Sequence, residues 1–167
     1  MSRLRHISVV AAATALLGVS PAYPVSAEPT EPFTAIFPAG LVCTFELKVD
    51  VGAGDRHPKT FADAAGNAIR IIDAGRGTPL EFTNTENQQS MSTTANGAVS
   101  QTAINAGGTS RTVLTGHYVL FMFPTDRPAG PSTTLYTGRV VFTTDQSGVT
   151  TVQEKSGRKT DICAALS

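Results

Sequence analysis

Two cysteines, Cys43 and Cys163, bracket almost the whole of the chain that follows an export-like N-terminus, and this pair most constrains the fold. Arg3 and Arg5 precede an apolar stretch from Ile7 to Val19, and Val25-Ser26-Ala27 supplies the small residues of a cleavage site before Glu28. These are the three parts of a secretory signal peptide, so residues 1–27 are expected to be removed. Outside the cytosol an even cysteine count is normally oxidised, and a Cys43–Cys163 bond is expected. Closing so long a loop stabilises a fold by about 4 to 5 kcal/mol in the chain-entropy picture. Cys43 does not fit a lipid anchor, because Gly40-Leu41-Val42 lacks the small residue before the cysteine and lies far beyond the apolar stretch. No later segment approaches the roughly 20 apolar residues of a membrane helix. The expected product is secreted, extracellular and not membrane-inserted after signal cleavage.

From Glu28 onward the chain carries 11 basic and 13 acidic side chains, which gives no electrostatic case for nucleic acid or an anionic membrane. Threonine supplies 22 of those 140 residues, beside many Gly, Ser and Asn and no Trp. Thr is β-branched and polar and suits the wet face of a strand, whereas Gly and Asn suit turns. The composition therefore reads as all-β, with one domain over residues 40–167.

Residues 28–39, with Pro29, Pro32 and Pro38, read as an extended arm. Cys43, Phe45, Leu47, Val49 and Val51 then alternate with Thr44, Glu46, Lys48 and Asp50, the period of a half-buried strand. Further strands are expected at 59–63, 67–73, 78–84, 89–95 and 98–105, separated by turn residues that include the hairpin signal Asn96-Gly97. A long strand from Thr109 to Phe123 follows, with a bulge or corner at Gly116. Strands at 133–144 and 149–156 and a short tail helix capped by Thr160 or Asp161 complete the pattern. Consecutive hairpins predict an antiparallel up-and-down meander closed as a small β-barrel, which removes exposed edges; a β-sandwich is the alternative. In either, the disulfide ties the short C-terminal segment back to the first strand.

Little in the sequence carries chemistry. His57 and His117 have no second His or Cys at metal-ligand spacing. Gly107-Gly108-Thr109-Ser110-Arg111 lacks the form of a nucleophile elbow, and no phosphate loop occurs. Asp50, Asp63, Asp73 and Glu81 are dispersed, while Asp73 with Arg76 and Asp126 with Arg127 read as turn-shaping pairs. No catalytic residue, metal site or cofactor is assigned. His117 shares a strand face with Val119, Phe121 and Phe123, which makes its titratable ring a pocket candidate. The run Tyr118-Val119-Leu120-Phe121-Met122-Phe123 is apolar on both alternating sets, so both faces require cover, from the tail, the arm or a partner.

The stretch from Phe123 to Phe142, beginning Phe123-Pro124-Thr125-Asp126-Arg127-Pro128-Ala129-Gly130-Pro131, and the ending Thr160-Asp161-Ile162-Cys163-Ala164-Ala165-Leu166 resemble small secreted proteins of actinobacteria. The resemblance runs from about Phe37 to the end and implies export and a compact β domain without implying a catalytic residue. Three functional readings stay open. The first is a barrel whose interior binds a small apolar or amphipathic ligand through Phe45, Leu47, Phe82, His117, Val119 and Phe121. The others are a cavity enzyme of isomerase or cyclase type using His117 and one or two carboxylates, and a non-catalytic cell-surface interaction module.

Overall fold

The computed structural model describes residues 31–94 and 99–167; the expected signal peptide and the Asn96-Gly97 turn lie outside them. The described strands are β1 (Phe33–Phe37), β2 (Leu47–Val51), β3 (Asp55–Ala62), β4 (Ala68–Arg76), β5 (Pro79–Asn84), β6 (Ser90–Thr94), β7 (Val99–Ile104), β8 (Ser110–Met122), β9 (Ser132–Thr144) and β10 (Thr150–Asp161). Among the described residues one helix, α1 (Ile162–Ala165), follows β10, and Asp161 caps it by accepting the Ala164 N–H at 3.0 Å.

All strand pairs are antiparallel, but the expected single meander does not form. The strands divide between a small sheet ordered β1-β2-β5-β6 and a large one ordered β10-β9-β8-β7-β4-β3, and no closed barrel is found among the described residues. The chain switches sheets three times, between β2 and β3, between β4 and β5 and between β6 and β7. Turn residues report that the chain reverses, not which sheet receives the next strand, so the sequence reading linked neighbours that never pair. Within the expected arm, Phe33–Phe37 forms β1 and pairs with β2.

The first strand also begins later than its alternation indicates. Val42, Cys43 and Phe45 are buried, yet ladder pairing starts only at Leu47. The segment is held from the side instead: Cys43 is bonded to Cys163, and the buried Thr133 hydroxyl donates to the Val42 carbonyl at 3.0 Å. Alternation records which side chains are buried, and here burial comes without a ladder.

The large sheet bends along a row of glycines. Gly116 lies opposite Gly138, which lies opposite Gly157, and their φ angles are +115°, +153° and +99°. Only glycine adopts such angles readily. A Cβ on Gly138 would stand 2.2 Å from the Ser156 carbonyl oxygen, and one on Gly157 2.2 Å from that of Thr137. Gly75 on β4 has φ +147°, and a Cβ there would stand 2.1 Å from the Asp55 carbonyl oxygen on β3.

At this row β8, β9 and β10 fold back over one face of their own sheet. Leu114, Val140, Phe142 and Val152, from one side of the bend, form a cluster with Tyr118, Leu120, Met122 and Tyr136 from the other. The loop after β8 returns to the start of β10, where Arg127 N–H donates to the Thr150 carbonyl and Val152 N–H to the Arg127 carbonyl, both at 2.8 Å. Val119, Phe121 and Leu135, on the opposite face, pack against Leu47, Val49 and Phe82 of the small sheet and against Ile162 and Leu166 of the tail. The β8 segment after the bend is thus covered on both faces, as its two apolar sets require.

Candidate functional site

Among the described residues the β7–β8 pairing runs to Val99 opposite Thr115, next to the bend. A cleft of about 350 Å³ opens there. Its apolar wall comes from Leu114, Val119 and Phe121 of β8 and Leu80 of β5; its polar wall comes from Arg56, Asp73, Thr78, Ser100 and Tyr118.

Arg56 and Asp73 form the charged part of this wall. The arginine donates to Asp73 Oδ2 from Nε and Nη2, both at 2.8 Å, and from Nη2 to the Asp73 carbonyl at 3.2 Å. The pair sits diagonally across β3 and β4, because Arg56 is opposite Gly75 and Asp73 is opposite Pro58. The second carboxylate oxygen, Oδ1, is buried with no hydrogen-bond partner. The Tyr118 hydroxyl is likewise buried and unpartnered. Its ring stacks on Tyr136 at 5.7 Å, and burial, reinforced by Tyr136, raises the phenol pKa well above its ordinary value. Tyr118 therefore keeps its proton and is no base near neutral pH.

The sequence-derived candidates are only partly gathered here. Val119 and Phe121 line the cleft. Phe45, Leu47 and Phe82 are buried in the core between the sheets, against which Val119 and Phe121 also pack, so those three fill a solid interior. His117 is exposed on β8, opposite Thr137. It shares its strand face with Val119 and Phe121, but the small sheet covers only the part of β8 farther from the bend. His57 is exposed on β3, with Nε2 3.0 Å from Asp55 Oδ1. Sequence reasoning set Asp73 beside Arg76, whereas the structure pairs it with Arg56, and it missed the cleft positions of Leu80, Ser100 and Tyr118. Only the β3–β4 and β4–β7 registers bring these residues together.

Chemically the cleft offers an apolar surface, a neutralised ion pair and unsatisfied hydrogen-bonding atoms. Among the described residues no group of three His, Cys, Asp or Glu side chains is placed to hold a metal ion. A smaller groove of about 220 Å³ lies on the concave side of the bend, with Met122, Val152 and Tyr136 at its floor and the exposed Lys155 and Lys159 at its rim. Among the described residues no helix is long and apolar enough to cross a membrane. No family model, no curated protein and no solved structure matches the chain.

Proposed function

We propose that this is an exported, non-enzymatic binding domain, a sandwich rather than a barrel, which takes a small amphipathic molecule in the cleft beside the glycine row. One observation carries the reading: an apolar wall of Leu80, Val119 and Phe121 meets a polar wall in which Asp73 Oδ1 lacks a partner. Buried acceptors are normally satisfied, so a ligand offering a hydroxyl or amide N–H to Asp73 and an apolar body to β8 matches what the cleft leaves open. Small-molecule sites commonly enclose roughly 300 to 1,000 Å³, which limits this one to a small ligand. The Cys43–Cys163 bond supports the export part of the reading. In this reading the protein stands beside the small secreted actinobacterial proteins that its Phe123–Phe142 stretch resembles. The enzyme alternative calls for His117 and one or two carboxylates in a cavity, and the exposure of His117 on β8 favours the binding reading over it.

Thermal-shift measurement with medium-chain fatty alcohols, fatty acids and aromatic amides tests the reading. A ligand at 100 times its dissociation constant adds about 2.7 kcal/mol of stability. Alcohols and amides are expected to raise the melting temperature, and Ser100→Phe, which fills the cleft, is expected to abolish the rise. No shift from any probe, or an undiminished shift in Ser100→Phe, would overturn the assignment.

A further inference from the structure

We infer that two copies of this chain pair antiparallel through β1, joining their small sheets into one eight-stranded sheet. The sheet edges are treated unequally. β3 presents Asp55, Arg56, His57, Pro58 and Lys59, and proline and charge both discourage further pairing. β10 carries Glu154, Lys155, Arg158 and Lys159, and its start is already bonded to Arg127. β6 is polar, with Ser90, Ser92 and Thr93 among its residues. β1, Phe33-Thr34-Ala35-Ile36-Phe37, like β6 has neither charge nor internal proline, but it is apolar where β6 is polar, and it pairs only with β2 among the described residues. Phe33 is 53 % exposed and Ile36 60 %.

The choice of a second copy as the occupant follows from the order of these five residues. Read backwards, the strand is Phe-Ile-Ala-Thr-Phe, nearly the same pattern. Antiparallel pairing about a two-fold axis at Ala35 sets Phe33 of each copy against Phe37 of the other, and Thr34 against Ile36. Paired residues share a face, so both aromatic pairs fall on the inner side of the joined sheet. Phe37 already stacks on Phe121 at 5.2 Å, and the incoming Phe33 would extend that aromatic row while covering its own exposed ring. On the outer side, Lys48 and Asp50 of β2 form a 2.8 Å ion pair opposite Ile36 and Thr34, so neither copy brings an unpaired charge toward the other. Pro32 and Pro38 flank β1 and confine the pairing to five residues, because proline has no N–H to donate. So short an edge makes a small interface, and the association is expected to depend on concentration.

Sedimentation and light scattering of the purified protein over a concentration series test the pairing. The mass should rise from one copy toward two, and Phe33→Glu with Ile36→Lys should hold it at one copy without lowering the melting temperature. Ala35→Cys should give a reducible cross-linked dimer, since Ala35 faces its own copy at the axis, whereas Lys59→Cys on the β3 edge should not. A one-copy mass at every soluble concentration would overturn the inference, as would a dimer that survives the double substitution. Absence of the Ala35→Cys cross-link in a dimer that the double substitution disrupts would also overturn it, by excluding this register.

Discussion

Thr150 donates its backbone N–H to Asp126 Oδ1 at 2.8 Å, joining the Pro124–Pro131 loop to the start of a strand 24 residues later. The other carboxylate oxygen accepts the Phe123 N–H at 2.7 Å, and Asp126 is only 4 % exposed. One side chain thus closes its own loop and fastens that loop across the folded-over sheet. Asp126→Ala would leave two part-buried N–H groups without their acceptor, and such groups cost about 1 to 3 kcal/mol each. Chemical denaturation should show a loss of about 2 to 4 kcal/mol for Asp126→Ala and a smaller loss for Asp126→Asn, which retains one oxygen acceptor. Equal stability of Asp126→Ala and the parent would mean that the loop is not a fastening.

The glycine row makes a sharper contrast between two positions. Gly66 and Gly138 both have positive φ, +86° and +153°, but a Cβ meets nothing within 4 Å at Gly66 and the Ser156 carbonyl oxygen at 2.2 Å at Gly138. Gly66→Ala is expected to cost about 1 kcal/mol, the backbone penalty alone. Gly138→Ala should cost about 3 kcal/mol or more, because the strands must separate where the sheet bends. Similar melting temperatures for the two variants would show that the bend tolerates a side chain.

Much of the scaffold was legible because it depends on local alternation. The two-faced apolar run at Tyr118–Phe123, the corner at Gly116, the disulfide and the Asp161 cap are each written in residues close together, or in the redox compartment. What could not be read is what register decides. Gly138 and Gly157 look like ordinary loop or bulge glycines until pairing sets them beside Gly116. The Val42–Phe45 alternation arises from burial against Thr133 and the disulfide, and it carries no sign that the ladder is absent. The cleft shows the same division. Val119 and Phe121 follow from the strand period, whereas Arg56 meets Asp73 only because β3 and β4 pair in one particular register.

Acid should weaken two turns in a defined direction. Asp63 and Asp145 both have pKa values held below the ordinary 3.8, Asp63 chiefly by the Asn67 side-chain amide and backbone N–H, Asp145 chiefly by the Ser147 hydroxyl and the Val149 N–H. A carboxylate whose folded pKa is depressed contributes stability that is present above its unfolded value and lost as pH falls through the folded value. The melting temperature should therefore fall on acidification below about pH 4, and this part of the fall should shrink in the double variant Asp63→Asn, Asp145→Asn. Hydrogen bonds lead both shifts, so added salt should change the effect little. An identical acid profile in parent and double variant would assign the loss to other carboxylates.

Tyr118 separates stability from function. Its hydroxyl is buried without a partner while its ring is held in the cluster at the bend and stacked on Tyr136. A buried hydroxyl without a hydrogen bond is destabilising, and removing it leaves the ring packing in place. Tyr118→Phe is thus expected to raise stability by about 1 kcal/mol, the reverse of what most core substitutions do. If the tyrosine is retained because the cleft uses its polarity, the same variant should lose part of the ligand-induced thermal shift as it gains intrinsic stability. Denaturation of the free protein and titration with the best fatty alcohol or amide probe read the two effects independently. A Tyr118→Phe variant that is less stable than the parent would show that the hydroxyl has a partner in solution, and an unchanged ligand response would remove Tyr118 from the site.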